Sequence, residues 1–146
     1  MPNRPPYYEQ ETKFSCGPAC LRMVLAALGT FKTEEELRLL SQCTAEGTLP
    51  KDLVDAAKQL GFDARLEKYS DLDKLKLELD ASHYPIVSLR VRSSPNVSRH
   101  VVVVVEISES GILVFDPDER WREYLYPKLD FWRQWTDEQR CTIVIG

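Results

Sequence analysis

The sequence has little of what a membrane, secreted or nucleic-acid-binding protein needs. Its longest purely apolar runs, residues 23–28 and 101–105, fall far short of the roughly 20 residues that a membrane span requires. No apolar stretch follows Arg4, the single basic residue near the N-terminus, so no secretory signal is visible and we expect a cytoplasmic protein. Its 19 basic residues are outnumbered by 23 acidic ones, and the net charge of −4 argues against a nucleic-acid partner.

Metal ligands are also scarce. The sequence has four cysteines and two histidines: Cys16, Cys20, Cys43, Cys141, His83 and His100. Three residues separate Cys16 from Cys20, whereas paired zinc ligands are typically separated by two. In a reducing compartment an even number of cysteines does not imply disulfides. We therefore expect no metal site, no organic cofactor and no disulfide framework.

The first half of the chain shows the apolar spacing of helices. Leucines and valines in residues 21–28 recur at helical intervals, with Pro18 in the first turn and Gly29 after the end. Three more helices are predicted here: one after a capping box at Thr33 and Glu36, one from Pro50 to Gly61, and one capped by Ser70.

The second half is dominated by strand patterns. Strands are predicted at residues 62–66, 85–91, 100–107, 111–115, 121–126 and 141–145, with a polar loop at 92–99 and a short helix at 131–135. The strand at 100–107 is β-branched throughout, which indicates burial on both faces. Helices first and closely spaced strands after them predict an α+β fold. No repeat or linker is visible, so we expect a single domain over residues 1–146.

Cys16 is the strongest candidate for chemistry. It lies in Ser15-Cys16-Gly17-Pro18, at the start of the first predicted helix. Unpaired backbone N–H groups and the positive end of the helix dipole favour an anion there, so they stabilise a thiolate over a thiol. A buried structural cysteine is the alternative at this position, and it is the interpretation we adopt for the other three cysteines.

A thiolate nucleophile needs a base. His100 is the candidate, because it lies at the start of the valine-rich strand, directly after a polar loop. Asp116 ends the next predicted strand. If the two strands form a hairpin, the start of the first lies beside the end of the second, which brings Asp116 close to His100. Asp118 is an alternative carboxylate, and Asp116 could also be a simple turn residue.

The oxyanion formed on thiolate attack needs a hydrogen-bond donor. Gln10 lies six residues before Cys16, and its side-chain amide could point an N–H toward the same place as the Cys16 backbone N–H. A solvated glutamine is the alternative.

Together these segments resemble a known family. They are Gln10-x5-Cys16-Gly17-Pro18-Ala19-Cys20-Leu21-x-Met23, Gly47-Thr48-Leu49, His100-Val101-Val102-Val103 and Asp116-Pro117. Their order and spacing, over roughly residues 7–135, are similar to those of cysteine peptidase family 39, the bacteriocin-processing peptidases of the papain-like group.

The resemblance implies a papain-like α+β fold, with N-terminal helices packed on a C-terminal antiparallel sheet. It implies Cys16 as nucleophile, His100 as base, Asp116 as the group that orients the base, and Gln10 as oxyanion donor. It also implies a peptide or protein substrate, in the well-known members a leader peptide that ends in a double glycine.

The sequence departs from the family pattern in three ways. An acidic residue often precedes the nucleophile, and here it is Ser15. An aromatic residue commonly follows the histidine, and here it is Val101. Well-known members are N-terminal domains of peptide-exporting transporters, and this sequence contains no membrane helix or P-loop.

Three functions remain open at this point. The first is a cysteine peptidase that hydrolyses a peptide bond through a Cys-His-Asp triad. A second is a domain that binds a peptide without cutting it. The third is an acyl transferase, because a thioester can pass its acyl group to an amine instead of water.

Overall fold

The computed structural model describes residues 4–93 and 96–146. Within them the chain forms five α-helices and six β-strands. In chain order they are α1 (Cys16–Ala27), α2 (Glu34–Leu40), α3 (Pro50–Gln59), β1 (Ala64–Glu67), α4 (Leu72–Asp80), β2 (Ile86–Ser93), β3 (Asn96–Ser108), β4 (Gly111–Phe115), β5 (Glu123–Tyr126), α5 (Lys128–Thr136) and β6 (Thr142–Ile145). No helix in the described ranges has the length and apolar character needed to cross a bilayer.

The six strands form one sheet in the order β1-β6-β2-β3-β4-β5, with antiparallel pairing between neighbours. The predicted α+β architecture is therefore confirmed. Central strand β3 is buried on both faces, as its valine run predicts. Val101, Val103 and Val105 belong to the core on one side of the sheet, and Val102 and Val104 to the core on the other.

Helices cover both faces of the sheet. The three N-terminal helices supply the core on one face, where α1 packs on β3 and α3 packs on β1 and β6. On the opposite face, α4 and α5 contribute Leu75, Phe131 and Trp135, all fully or almost fully buried. The predicted packing of N-terminal helices on an antiparallel sheet is correct, and the structure adds a second helical layer behind it.

Residues typical of helix starts and ends mark the boundaries of the first three helices, as predicted. Pro18 lies in the first turn of α1, and Gly29 after its end has a φ of +89°, a left-handed conformation suited to glycine. The Thr33 hydroxyl accepts a hydrogen bond from the Glu36 N–H at 3.1 Å, and Pro50 is the first residue of α3. Each is a local effect that needs no tertiary contact.

The prediction that Ser70 caps the fourth helix was wrong. Asp71 is the N-cap of α4, and its carboxylate accepts a hydrogen bond from the Lys74 N–H at 2.9 Å. Aspartate has the advantage here because its negative charge also faces the positive end of the helix dipole.

The polar loop predicted at residues 92–99 is largely strand. β2 runs to Ser93 and β3 begins at Asn96, so the two form a long hairpin in which Leu89 pairs with His100. Ser94 and Pro95 lie outside the described residues, as do residues 1–3 of the lead-in. A polar sequence does not exclude strand where a hairpin extends beyond the core.

Candidate active site

Cys16 is the first residue of α1, where the helix meets the sheet. Ser15 precedes it as the N-cap, and Gly17 and Pro18 complete the first turn. A Cβ on Gly17 would lie 3.1 Å from Leu53 Cδ1, so glycine allows α1 to pack closely on α3. The thiol is half-buried, and the Gly17 backbone N–H donates a hydrogen bond to it. One N–H of the helix start therefore faces the sulfur, as the sequence suggests, and the Val101 N–H of β3 is a second backbone donor to it.

His100 and Asp116 come together through the pairing of β3 with β4. Val103 lies opposite Phe115, so Asp116, the residue after β4, lies near the beginning of the valine run. The His100 Nε2 and Asp116 Oδ1 atoms are 2.5 Å apart. This bond occupies Nε2 and leaves Nδ1 to face the thiol.

Asp116 is 2% exposed and is held from several directions. The Tyr7 hydroxyl donates to its carbonyl oxygen at 2.6 Å, and its own N–H donates to the Arg122 carbonyl at 2.7 Å. The Asp118 N–H donates to its carboxylate at 2.8 Å. The Asp118 carboxylate instead pairs with Arg120, at 2.6 Å from Nη2. Of the two candidate carboxylates, Asp116 is the one on the imidazole.

The thiol and the imidazole shift each other's pKa. Burial raises the pKa of Cys16, but the hydrogen bond and charge of His100 outweigh burial, so the pKa lies below its usual value. Burial lowers the pKa of His100, whereas hydrogen bonds to Asp116 and Cys16 raise it to about 10. Both shifts favour a thiolate–imidazolium pair over two neutral groups. Burial raises the pKa of Cys20 and Cys141, which keeps both as neutral thiols.

Gln10 lies in the same cleft as Cys16 and His100. Its backbone N–H donates to the Pro117 carbonyl at 2.9 Å, and its side-chain Nε2 donates to the Thr12 carbonyl at 2.8 Å. One amide N–H is thus used within the protein. The amide carries a second N–H, so an oxyanion donor is available here only if that hydrogen points to the thiol.

The cleft has a volume of about 450 Å³, and one wall is a tight turn. Thr44 and Gly47 pair across this turn, and Gly47 has a φ of +98°, which favours glycine. Arg99 donates from Nη2 to the Thr48 carbonyl at 3.3 Å. This contact ties the turn to β3, so the wall has a fixed position relative to His100.

Sequence reasoning missed a buried carboxylate behind Cys16. The Glu34 side chain is fully buried, and its Oε1 accepts hydrogen bonds from the Glu11 N–H at 2.9 Å and the Ser15 hydroxyl at 3.2 Å. Its Oε2 lies 3.1 Å from Arg38 Nε. Burial raises the pKa of Glu34, and the two hydrogen bonds and Arg38 partly offset that effect.

Ser15 connects Glu34 to the turn that carries Gln10. The Ser15 hydroxyl accepts hydrogen bonds from the Thr12 N–H at 3.1 Å and the Thr12 hydroxyl at 2.7 Å. The Thr12 carbonyl in turn receives the Gln10 amide. Glu34 therefore braces the segment between Gln10 and Cys16. No sequence pattern marks Glu34 as buried, because it looks like an ordinary exposed acid in a first helical turn.

Comparison with known proteins identifies the family. The profile of the peptidase C39 family matches residues 4–141. The chain belongs to the peptidase C39 family. It is 32% identical over 130 residues to the pediocin PA-1 transport/processing ATP-binding protein PedD of Pediococcus acidilactici. That alignment covers 89% of this chain and 17% of PedD, so the chain spans about a sixth of the length of that relative.

Solved C39 structures share the fold. The peptidase domain of Streptococcus ComA, a bifunctional ABC transporter of a quorum sensing pathway, superposes with a TM-score of 0.77 at 26% identity, over 95% of this chain and 96% of that one. A double glycine motif protease from an AMS/PCAT transporter, solved in complex with the leader peptide, gives a TM-score of 0.77 at 21% identity, over 97% and 90% of the two chains. The predicted cysteine peptidase family and papain-like fold are confirmed.

In this C39 domain, Cys16 should react with iodoacetamide before the other three cysteines. We expect its labelling to persist at about pH 6 because its pKa is lowered by His100. In His100→Ala the Cys16 thiol stays buried but loses the hydrogen bond and the charge that lower its pKa. Its labelling at that pH should therefore fall at least about tenfold. Mass-spectrometric peptide mapping across pH measures each rate. His83→Ala, which removes a histidine bound to Glu78, is the control. Cys16 labelling no faster than Cys43 labelling would contradict a thiolate.

Glu34→Ala should destabilise the C39 domain by about 2–3 kcal/mol, because the Ser15 hydroxyl and Glu11 N–H lose their buried acceptor. Glu34→Gln keeps an acceptor oxygen and should lose less than about 1 kcal/mol. Thermal and urea unfolding measure both, and Glu35→Ala, an exposed glutamate in the same turn, is the control. A Glu34→Ala variant as stable as Glu35→Ala would show that this brace contributes nothing.

Proposed function

We propose that this chain hydrolyses a peptide bond through a thioester on Cys16, with residues 1–146 acting as one peptidase domain. The observation that carries the proposal is the contact of a helix-start thiol with an imidazole that a buried carboxylate holds at 2.5 Å. In this proposal Cys16 is the nucleophile, His100 the acid and base, and Asp116 the group that fixes the imidazole.

The charge state of the pair sets the order of events. The Cys16 thiolate attacks the carbonyl carbon, and the carbonyl oxygen becomes an oxyanion. As the C–N bond breaks, the His100 imidazolium gives its proton to the leaving amine, which leaves a thioester. Neutral His100 then takes a proton from water as the water attacks the thioester. Collapse of the second oxyanion releases the carboxylic acid product and restores the thiolate and imidazolium.

Asp116 stabilises the cationic imidazole before the first step and orients Nδ1 toward the sulfur in every step. The second N–H of the Gln10 amide and the backbone N–H at the start of α1 are the proposed oxyanion donors. Oxyanion donors are effective when they are held in place before the reaction. The hydrogen bond from Gln10 Nε2 to the Thr12 carbonyl supports this for the Gln10 amide.

The proposed substrate is a precursor peptide cut after a double glycine at the end of its leader. Two comparisons support this choice: PedD is a transport/processing protein for pediocin PA-1, and a protein of the same fold is a double glycine motif protease solved with a leader peptide. We place the reaction in the cytosol, because a reducing compartment protects the thiolate and all four cysteines are free.

The proposal is tested with a synthetic precursor peptide that carries a Gly-Gly leader end. Wild-type protein should release the leader and the remaining peptide, detected by mass spectrometry, and Cys16→Ala should release neither. Cys43→Ala, which removes a cysteine outside the cleft lining, should retain full activity. Added hydroxylamine should give the leader hydroxamate by trapping the thioester.

Other outcomes identify the two alternatives. Binding of the peptide without cleavage indicates a peptide-binding domain. Product that forms only when an amine is added indicates an acyl transferase, since the thioester then does not react with water.

Gln10→Ala should lower kcat for this peptide by about 10²-fold and leave KM nearly unchanged, because an oxyanion contact exists mainly in the transition state. Gln10→Glu should be impaired at least as strongly, since its carboxylate would face the developing negative charge. Gln59→Ala, an exposed glutamine on α3, is the matched control. Wild-type kcat in Gln10→Ala would remove this residue from the site.

A further inference from the structure

A second cavity of about 500 Å³ continues from the catalytic cleft past the imidazole. The cleft and the cavity share four lining residues: Gln10, Lys13, Ser98 and His100. Cys16 lines the cleft and is not among the residues that line the cavity. The cavity therefore lies on the histidine side of the nucleophile and is continuous with the catalytic site.

Aromatic side chains form one wall of this cavity. Trp121 and Tyr124 pack edge-to-face with ring centroids 5.6 Å apart, and Tyr124 packs in the same way on Tyr126 at 4.6 Å. Trp121 is 54% exposed and Tyr124 is 36% exposed, whereas Tyr126 is buried. The two outer rings present apolar faces that the fold itself does not cover.

The charged groups around the cavity are largely used within the protein. Asp116 is bound to His100, and Asp118 is paired with Arg120. Two amide oxygens that line the cavity, Gln10 Oε1 and Gln134 Oε1, are buried without a hydrogen-bond partner among the described residues. The cavity therefore offers a ligand an aromatic surface, two amide acceptors and the ammonium group of Lys13.

Reaction chemistry determines which part of a substrate meets this cavity. During acylation the carbonyl side of the peptide becomes attached to Cys16, while the leaving amine must reach His100 to receive its proton. The chain that begins with this amine thus departs past the imidazole, and the cavity lies directly beyond it. The carbonyl side of the peptide then lies along the opposite wall of the cleft, at residues 44–48.

We propose that this cavity binds the residues that follow the cleaved bond, and that it selects a large apolar or aromatic side chain at the first of them. The inference rests on the proposed peptidase function, which it extends to the leaving half of the substrate. Trp121 and Tyr124 are the residues that set this specificity, and Gln134 accepts a hydrogen bond from the departing peptide.

Peptides with one constant leader half and Phe, Leu, Ala or Gly after the double glycine test the selection. Wild-type kcat/KM should be about tenfold higher for Phe than for Gly, as expected when a pocket gains one large apolar contact. Trp121→Ala and Tyr124→Ala should each reduce that ratio to below about three, mainly by slowing the Phe peptide. Phe31→Ala, which removes an exposed aromatic residue elsewhere, should leave the ratio unchanged.

A leader methylamide, whose leaving amine carries no side chain and is too small to reach the aromatic wall, separates this inference from loss of folding or chemistry. Trp121→Ala should lower kcat/KM for the Phe peptide by a larger factor than for this methylamide. In a second arm, phenylalanine amide should intercept the thioester better than glycine amide in wild type but not in Trp121→Ala. Equal wild-type rates for Phe and Gly peptides, or a preference for acidic residues, overturn the inference while peptidase activity stands. Failure to cleave any peptide overturns the proposed function and this inference together.

Discussion

The hydrogen bond between His100 and Asp116 is the interaction on which the site depends. Burial by itself lowers the pKa of the imidazole and raises the pKa of the thiol, which would leave both groups neutral. The buried carboxylate reverses this by stabilising the imidazolium, and the imidazolium in turn stabilises the Cys16 thiolate. A buried carboxylate is costly unless it is hydrogen-bonded, and Asp116 also receives the Asp118 N–H. The fixed charge of Asp116 behind His100 therefore favours the ionised form of Cys16.

The fold places the Asp116 carboxylate close to the start of α1. α1 packs on β3, and the Cys20 thiol donates to the Val101 carbonyl at 3.3 Å, one residue beyond His100. The N-terminal segment closes the remaining side, since the Tyr7 hydroxyl reaches the Asp116 carbonyl and the Gln10 N–H reaches Pro117. A segment without regular secondary structure thus connects helix and sheet, through these hydrogen bonds and through the packing of Tyr7 and Tyr8 on the core.

Most of the fold could be predicted from the sequence because periodic burial marks each element locally. The proximity of His100 and Asp116 also followed, since a hairpin fixes which residues lie together. Contacts between residues that belong to no periodic pattern could not be predicted in this way. Glu34 and Ser15 are 19 residues apart, and neither carries a sequence pattern that shows their pairing. The strand character of residues 92–93 and 96–99 was missed for the opposite reason, because polar residues there are compatible with both a loop and the end of a hairpin.

The short loop after β4 links Asp116 to the aromatic wall. The Asp118 carbonyl accepts hydrogen bonds from the Trp121 and Arg122 N–H groups, both at 3.0 Å, and the Arg122 carbonyl accepts from the Asp116 N–H. Arg122 has a φ of +47°, a left-handed conformation that costs a non-glycine residue about 1 kcal/mol. That conformation is retained because the loop's hydrogen bonds require it. The Trp121 backbone consequently has a fixed position relative to Asp116, so the selection proposed for its ring arises from a surface formed before the substrate arrives.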